Sequence, residues 1–424
     1  MKKTAVNLVS VIGGEVLLRA ANFAAVVVIA RLFGPLILGS YATVLAFVTV
    51  AVMIADNGLQ VSSIAEVAQK PADLGRTLGQ LYVLKTALFS AMAVVLLAIG
   101  FSVKFPAMIW LMGAFLALRT MLYSYCQLNA GVLKALDRMR FIGMVQLGHC
   151  LLLLTGVGLA YYRSWNIYVL LGWLLLGQIS ELTASGLLVL HFGARPRWSP
   201  LSACWRILHR STPIGITYSV AALILRADIL VLSWIALPRE VGYFAAANIP
   251  LVMVYVVAWL LGGVLLPKMV ALSNDNQELR AYTLRWVRLL LLVTIPLSLV
   301  QLAITPSATS LIYGSGYRAT GKLAAIMGLA VPFILANSIW LARALATESR
   351  AVYLGTYLSA GVAALLLDWA LGRAYGGAGI ASAIVIREVL MFAAFAIAGI
   401  RQAAKHSEDA SVLLEQSLVP MAGE

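Results

Sequence analysis

An all-α, multi-pass membrane protein with twelve transmembrane helices in two pseudo-symmetric six-helix lobes is what the sequence predicts, from its composition, the length of its apolar runs and the placement of its cations. Of the 424 residues, 62% are hydrophobic and 11% charged, with a mean hydropathy of +0.93; soluble domains run to about 45–50% apolar and about 25% charged. That excess excludes a soluble globular protein and leaves no room for a separate soluble domain. About 20 apolar residues cross a bilayer core. Runs of that length fall near residues 8–30, 38–61, 82–101, 106–129, 141–161 and 167–190, and again near 213–236, 241–266, 286–305, 321–342, 351–371 and 376–400. They are continuous in Leu, Ala and Val, not alternating at period two, which excludes a β-barrel.

The first run follows Met1-Lys2-Lys3 but carries Glu15, Arg19 and Asn22 and lacks a small-residue cleavage site, so it reads as a retained helix and not a signal peptide. Orientation follows from the cations, because basic loops stay cytoplasmic. Twenty of the 31 Lys and Arg, Lys85 and Arg343 among them, fall on the side of the N-terminus, seven on the other side, and four (Arg19, Arg119, Arg226 and Arg387) within the runs. Both termini are therefore expected in the cytoplasm. The formal charge of +14 is then accounted for by loops facing anionic membrane lipids, with no need of nucleic acid. The three cysteines have no CxxC spacing and the four histidines never stand at i,i+4 with a carboxylate; no disulfide framework or metal site is expected.

Residues 191–212 form the longest connection and carry Arg195, Arg197, Arg206 and Arg210 with Trp198 and Trp205 between them. This is the pattern of a basic interfacial linker, joining a lobe of residues 1–190 to one of residues 213–400, with a cytoplasmic tail at 401–424. The lobes share a pattern. Gly34-Pro35 is followed by Gly39-Ser40-Tyr41-Ala42, and Pro238 by Gly242-Tyr243-Phe244-Ala245, with the same Pro-to-Gly spacing. Repeated halves are frequent in secondary transporters, whose substrate site lies between them near the midplane.

An ionisable residue at membrane depth costs at least about 2.5–3.5 kcal/mol and so normally faces a partner or a cavity. Glu15, Arg19 and Asn22, spaced i, i+4, i+7, share one helix face. Ser219, Arg226 and Ser233 repeat at sevens and share another, whereas Asp228 points elsewhere. Arg119 shares a face with Tyr123 and Gln127, and Glu181 one with Gln178 and Ser185; a cross-helix Arg119–Glu181 pair is favoured over direct substrate contact. Arg387 and Glu388 diverge by about 100° on a helix, which suits interhelical pairing as well as ligand binding. Asp56, before Asn57-Gly58, ends a helix or serves as a gate. Asp368 with Arg373 reads as a cap at the outer surface, and His149 beside Gln146 as a hydrogen-bonded core histidine in preference to a proton carrier. Pro250, Pro296 and Pro332 are expected to kink their helices.

The stretch Arg31-Leu32-Phe33-Gly34-Pro35 with Gly39, Tyr41 and Ala42, then Asp56-Asn57-Gly58, resembles the N-terminal signature of the polysaccharide-biosynthesis membrane proteins, the flippases of lipid-linked oligosaccharides. Their superfamily also holds multidrug extruders and the peptidoglycan-precursor flippase. Further matches come at Arg226-Ala227-Asp228 with Val241-Gly242-Tyr243, at Leu311-Ile312-Tyr313-Gly314 with Gly316-Tyr317, and at Gly376-Gly377-Ala378-Gly379. Leu36-Ile37-Leu38 departs from it, filling a turn that is often polar in relatives. The resemblance implies a two-lobed, V-shaped transporter of the bacterial cytoplasmic (inner) membrane working by alternating access. Its cargo would be an undecaprenyl-diphosphate-linked repeat unit for exopolysaccharide, capsule or O-antigen. It also implies polymerase machinery as a partner, and a monomer is expected.

Arginine binds phosphate oxygens bidentately and stays ionised when poorly hydrated. Arg19 and Arg226 are accordingly the leading substrate-binding candidates, over the alternatives of a Glu15–Arg19 pair and of Arg226 packing against Asp228; Asn22, Ser219 and Arg119 join them. With no GxxxxGK[ST] phosphate loop in the sequence, no nucleotide cofactor is expected and a proton or sodium gradient is the natural driver. Glu15, Glu181, Asp228 and Glu388 are the coupling candidates. The main rival is a multidrug extruder on the same fold, kept open by the carboxylates near span depth. A membrane enzyme is disfavoured because the outward loops are too short to hold catalytic groups, and no catalytic residue is expected.

Overall fold

The computed structural model describes residues 2–59, 74–103, 106–273, 275–347 and 350–417. Among them the chain is helical, in the order α1 (Lys2–Asp56), α2 (Leu74–Val103), α3 (Ala107–Ala135), α4 (Met139–Arg163), α5 (Ile167–His191), α6 (Trp205–Ile235), α7 (Pro238–Ala271), α8 (Asn276–Tyr313), α9 (Arg318–Gly328), α10 (Val331–Ala346) and α11 (Arg350–Ser417). Nine helices among the described residues are long and apolar enough to cross a membrane, or ten if α9 and α10, bent by 40° at a short break, make one span.

Two of these helices are double. α1 is kinked at Gly34, whose φ of 73° is left-handed and comes free of strain only to glycine, and Pro35 brings no N–H to bond across the break. α11 is kinked likewise at Gly376, φ 58°. The expected proline kinks fare differently. Pro250 and Pro296 do lie inside α7 and α8, but Pro332 sits in the first turn of α10, where a missing N–H costs nothing. It stands directly after the short break at which α9 and α10 bend by 40°, so the bend expected in that run is present as a break between two helices.

Contacts divide the chain into two compact units, Met1–Ala246 and Ala247–Glu424. The first unit reaches past the expected lobe of residues 1–190 because α6 packs on α1. Within it α1 is the central element, packed on α4, α6, α3 and α2, while α5 closes on α3 and α4. An apolar cluster of Leu59, Leu78, Leu81, Leu128 and Leu133 knits one end, and Val48, Val52 and Phe89 form a second. In the second unit α8, α9, α10 and α11 pack together around Met269, Leu279, Ala336, Ile339 and Trp340. Large apolar side chains such as Val94, Leu187, Trp259, Leu292 and Leu311 face outward, the arrangement a lipid environment favours.

Between α5 and α6, which begins at Trp205, the backbone is fixed to α2 by Arg197 N–H donating to the Gly75 carbonyl at 2.8 Å, and Trp198 and Trp205 are exposed.

The two copies of the repeated Pro-to-Gly pattern meet in the first unit. A Cβ on Gly39 would run into the Pro238 carbonyl, and one on Gly242 into the Pro35 carbonyl. Each copy thus seats its glycine on the other's proline, backbone against backbone, in the small-residue packing that lets membrane helices approach. Gly39→Ala and Gly242→Ala are each expected to destabilise the purified protein by about 1–3 kcal/mol through overpacking, read by thermal unfolding in detergent. Gly148→Ala, with nothing near its Cβ, should be neutral or stabilising by up to about 1 kcal/mol.

Candidate functional site

The polar stripe on the first half of α1 forms as its spacing dictates. Arg19 Nη2 pairs with Glu15 Oε1 at 2.8 Å, and Arg19 Nε donates to the same oxygen at 3.0 Å. Gln146 Nε2 of α4 donates to Glu15 Oε2 at 3.2 Å. The pairing alternative thus holds for Arg19, although its side chain keeps 39% exposure.

Arg119 and Glu181 do not pair with each other, which corrects the expected cross-helix bridge. Arg119 Nη2 of α3 donates to Asn22 Oδ1 of α1 at 2.8 Å. Glu181 of α5 is held instead by His149 Nδ1 of α4 at 2.6 Å and by Gln178 Nε2 at 2.8 Å. The reason is helix placement: α1 packs on α3, so Asn22 meets Arg119, and α4 brings His149 to Glu181. His149 is therefore the hydrogen-bonded buried residue expected, with a partner, Glu181, that sequence periodicity gave no means of choosing.

On α6, Arg226 is half-buried and Asp228 buried, and Arg226 lies within electrostatic reach of Tyr41 of α1 and of Asp228. Ser233 Oγ donates to the Leu230 carbonyl at 2.7 Å, and Ser219 is half-buried. Among the described residues no hydrogen bond or ion pair joins Arg226 to Arg19, and neither Arg119 nor Arg226 forms an ion pair.

At its far end α1 stops at Asp56, where Asn57 and Gly58 take left-handed φ values of 47° and 72°, so helix termination is observed. The Asp56 side chain has a further role. It pairs with Lys85 Nζ of α2 at 2.6 Å, both side chains buried, and accepts from Ser124 Oγ of α3 at 2.8 Å. Lys85 Nζ also donates to the Ser124 carbonyl at 2.9 Å and lies over the rings of Phe89 and Tyr125. Next to this pair Asn57 Nδ2 donates to Thr212 Oγ1 of α6 at 3.0 Å.

Lys85 was missed as a site residue, because a charge at the edge of an apolar run is easily assigned to a loop. It is wholly buried. Arg343, also assigned to a loop, is buried on α10 with its guanidinium 5.8 Å from the Trp340 ring.

In the second unit Glu388 of α11 accepts from Tyr255 Oη of α7 at 2.8 Å and from Asn337 Nδ2 of α10 at 3.0 Å. Arg387 Nε lies 3.5 Å from its carboxylate and Arg387 Nη2 donates to Tyr255 Oη at 3.1 Å. The adjacent charges thus pair with each other and with two further helices. Asp368 is completely buried, not at an exposed cap, and Arg373 stacks over Trp369 at 5.6 Å.

Long apolar helices with polar groups turned inward define a multi-pass membrane protein, and the fold is that of transporters. A lipid II flippase, MurJ, in an inward closed conformation aligns at TM-score 0.71 and 15% identity over 97% of this chain and 93% of its own. An inward-facing multidrug resistance transporter of the MATE family, in the MOP superfamily, aligns at 0.70 and 11% over 90% and 94%. A MOP superfamily transporter from Pyrococcus furiosus, described by a reverse polarity of its binding pocket, aligns at 0.60 and 13% over 95% and 95%. The polysaccharide biosynthesis protein family model matches residues 4–273, and the chain belongs to that family. No curated protein matches the sequence.

Removing one member of a buried ion pair strands the other charge, at about 3–5 kcal/mol. Asp56→Ala should lower stability by that amount in thermal or denaturant unfolding of the purified protein, and Asp56→Leu with Lys85→Met should recover most of it. Equal losses in the single and double variants would contradict the pairing.

Proposed function

We propose that the protein is a flippase carrying an undecaprenyl-diphosphate-linked oligosaccharide across the bacterial inner membrane, by alternating access of two lobes. It would serve exopolysaccharide, capsule or O-antigen synthesis beside a polymerase. The nine long helices and the bent α9–α10 pair are compatible with twelve spans if α1 and α11 count as two each, and we take both termini as cytoplasmic.

The observation that carries the reading is the state of the membrane-depth cations. Arg119 and Arg226 are half-buried on helices packed against α1, and neither forms an ion pair among the described residues, although Arg226 lies within electrostatic reach of Asp228. A cation at membrane depth with so little charge compensation is costly, and a diphosphate headgroup supplies compensating charge with acceptor geometry matched to guanidinium. Arg119, oriented by Asn22, and Arg226, with Ser219 one stripe position away, are the proposed phosphate ligands. Arg19 contributes by exchanging Glu15 for a phosphate oxygen. The driver is a proton or sodium gradient, with Glu15, Glu181, Asp228 and Glu388 as the candidate couplers. Anionic membrane lipids bind the basic linker.

A second reading has a specific observation behind it: the fold aligns nearly as well with a multidrug resistance transporter. A cation extruder places carboxylates free in its cavity, whereas Glu15, Asp56, Glu181 and Glu388 are each bonded to a cation or a hydrogen-bond donor here.

Liposomes containing the full-length protein distinguish the two. A lipid-diphosphate sugar should move and a drug cation should not, and Arg119→Ala and Arg226→Ala should each slow the sugar by about 10²-fold, the loss of roughly 3 kcal/mol of charge-assisted binding. Movement of drug cations alone would establish the extruder, and wild-type rates in both variants would remove these residues from the site.

A further inference from the structure

We infer that the His149–Glu181 pair is a proton-binding site of the first unit, linked by a polar seam to the arginines of α1 and α3; this rests on the transporter reading and assigns one of its couplers. The two side chains come from adjacent helices, are buried, and meet at 2.6 Å about halfway along α4 and α5. With Glu181 as a carboxylate, which only accepts, its oxygen takes the hydrogen of His149 Nδ1. The same oxygen accepts from Gln178 Nε2 at 2.8 Å. His149 Nε2 is then a lone pair, and it has no hydrogen-bond partner although it is fully buried. In this state the pair holds one proton and a net charge of −1. An arriving proton goes to Nε2 and leaves the pair neutral as imidazolium and carboxylate, which lowers the cost of keeping it at membrane depth.

The surroundings give the pair room for a water and give protonation a consequence. Glu181 lines two spaces at once. One is an internal cavity of about 20 Å³, shared with Gln127, Gln146 and Ser185, which is room for a single water. The other is an open groove of about 730 Å³ between α4 and α5, which His149 also lines. In the cavity wall Gln146 has its Oε1 buried without a partner, while its Nε2 donates to Glu15 of α1. Such a wall of acceptors and donors suits a water that connects the pair to Glu15 and its partner Arg19. Tyr123 and Cys126 on α3 lie within reach of the Glu181 charge, and His191 lines the same groove further along α5. Tyr123 lies within electrostatic reach of Glu15 and Arg19 as well, so proton uptake changes the charge around that pair, and cargo binding and proton binding become linked.

The test uses full-length protein in liposomes with a labelled lipid-diphosphate oligosaccharide and an imposed pH gradient. The gradient should change the wild-type rate by about tenfold, within the range typical of such coupling, whereas H149Q should lose the response, and E181Q, fixed in the neutralised state, should lose it with a gradient-free rate shifted from that of wild type. A wild-type rate indifferent to pH, or variants that respond like wild type, overturns the proton site and leaves the flippase standing. If wild type moves no sugar, the flippase reading fails. The proton site is then decided by acid titration in detergent, where H149Q should bind one proton fewer than wild type and equal binding would overturn it.

Discussion

A hydrocarbon environment offers no partner to a polar group, so every charge carried into it must be met from within the protein. In the first unit that demand falls mostly on α1. Its Glu15 is met by Arg19 and by Gln146 of α4, its Asn22 by Arg119 of α3, and its Asp56 by Lys85 of α2 and Ser124 of α3. Asn57, just past its end, reaches α6. Four neighbouring helices are therefore positioned by polar contacts to one helix, and two apolar clusters pack around the Asp56 end of it.

Much of this was legible in the sequence, and the reason is periodicity. Residues at i, i+4 and i+7 share a face whatever the helix packs against, so the Glu15–Arg19–Asn22 stripe could be read directly. The apolar runs, the glycine at the bend of α1 and the paired Pro-to-Gly patterns were visible for equally local reasons. What stayed hidden depends on the rotation and neighbours of whole helices. Glu181 could have faced Arg119 or His149 with the same sequence, and only the packing of α4 on α5 decides it. Lys85 and Arg343 misled because a position at the edge of an apolar run can lie in a loop or be carried inward. Pro332 does mark a bend of its run, which takes the form of a break between α9 and α10.

Pairing also sorts the charges by what they can still do. Asp56–Lys85 is closed on itself, buried and bonded to a third helix, and its part is to hold α1, α2 and α3 together. Glu15–Arg19 is half-open, since Arg19 keeps substantial exposure. Arg119 and Arg226 have no ion-pair partner among the described residues, and it is these that the proposed anionic cargo would engage. The reading moves the weight of the site from Arg19, where spacing alone had put it, toward Arg119 with Asn22.

The central claim, that these cations are held for a diphosphate, is tested most directly by lipid binding to the full-length protein measured by native mass spectrometry. The account predicts that a polyprenyl diphosphate binds at least about tenfold more tightly than the corresponding polyprenol, a difference of about 1.4 kcal/mol, and that Arg119→Ala with Arg226→Ala abolishes the preference. Equal binding of the two lipids by wild type, or an undiminished preference in the double variant, would contradict it.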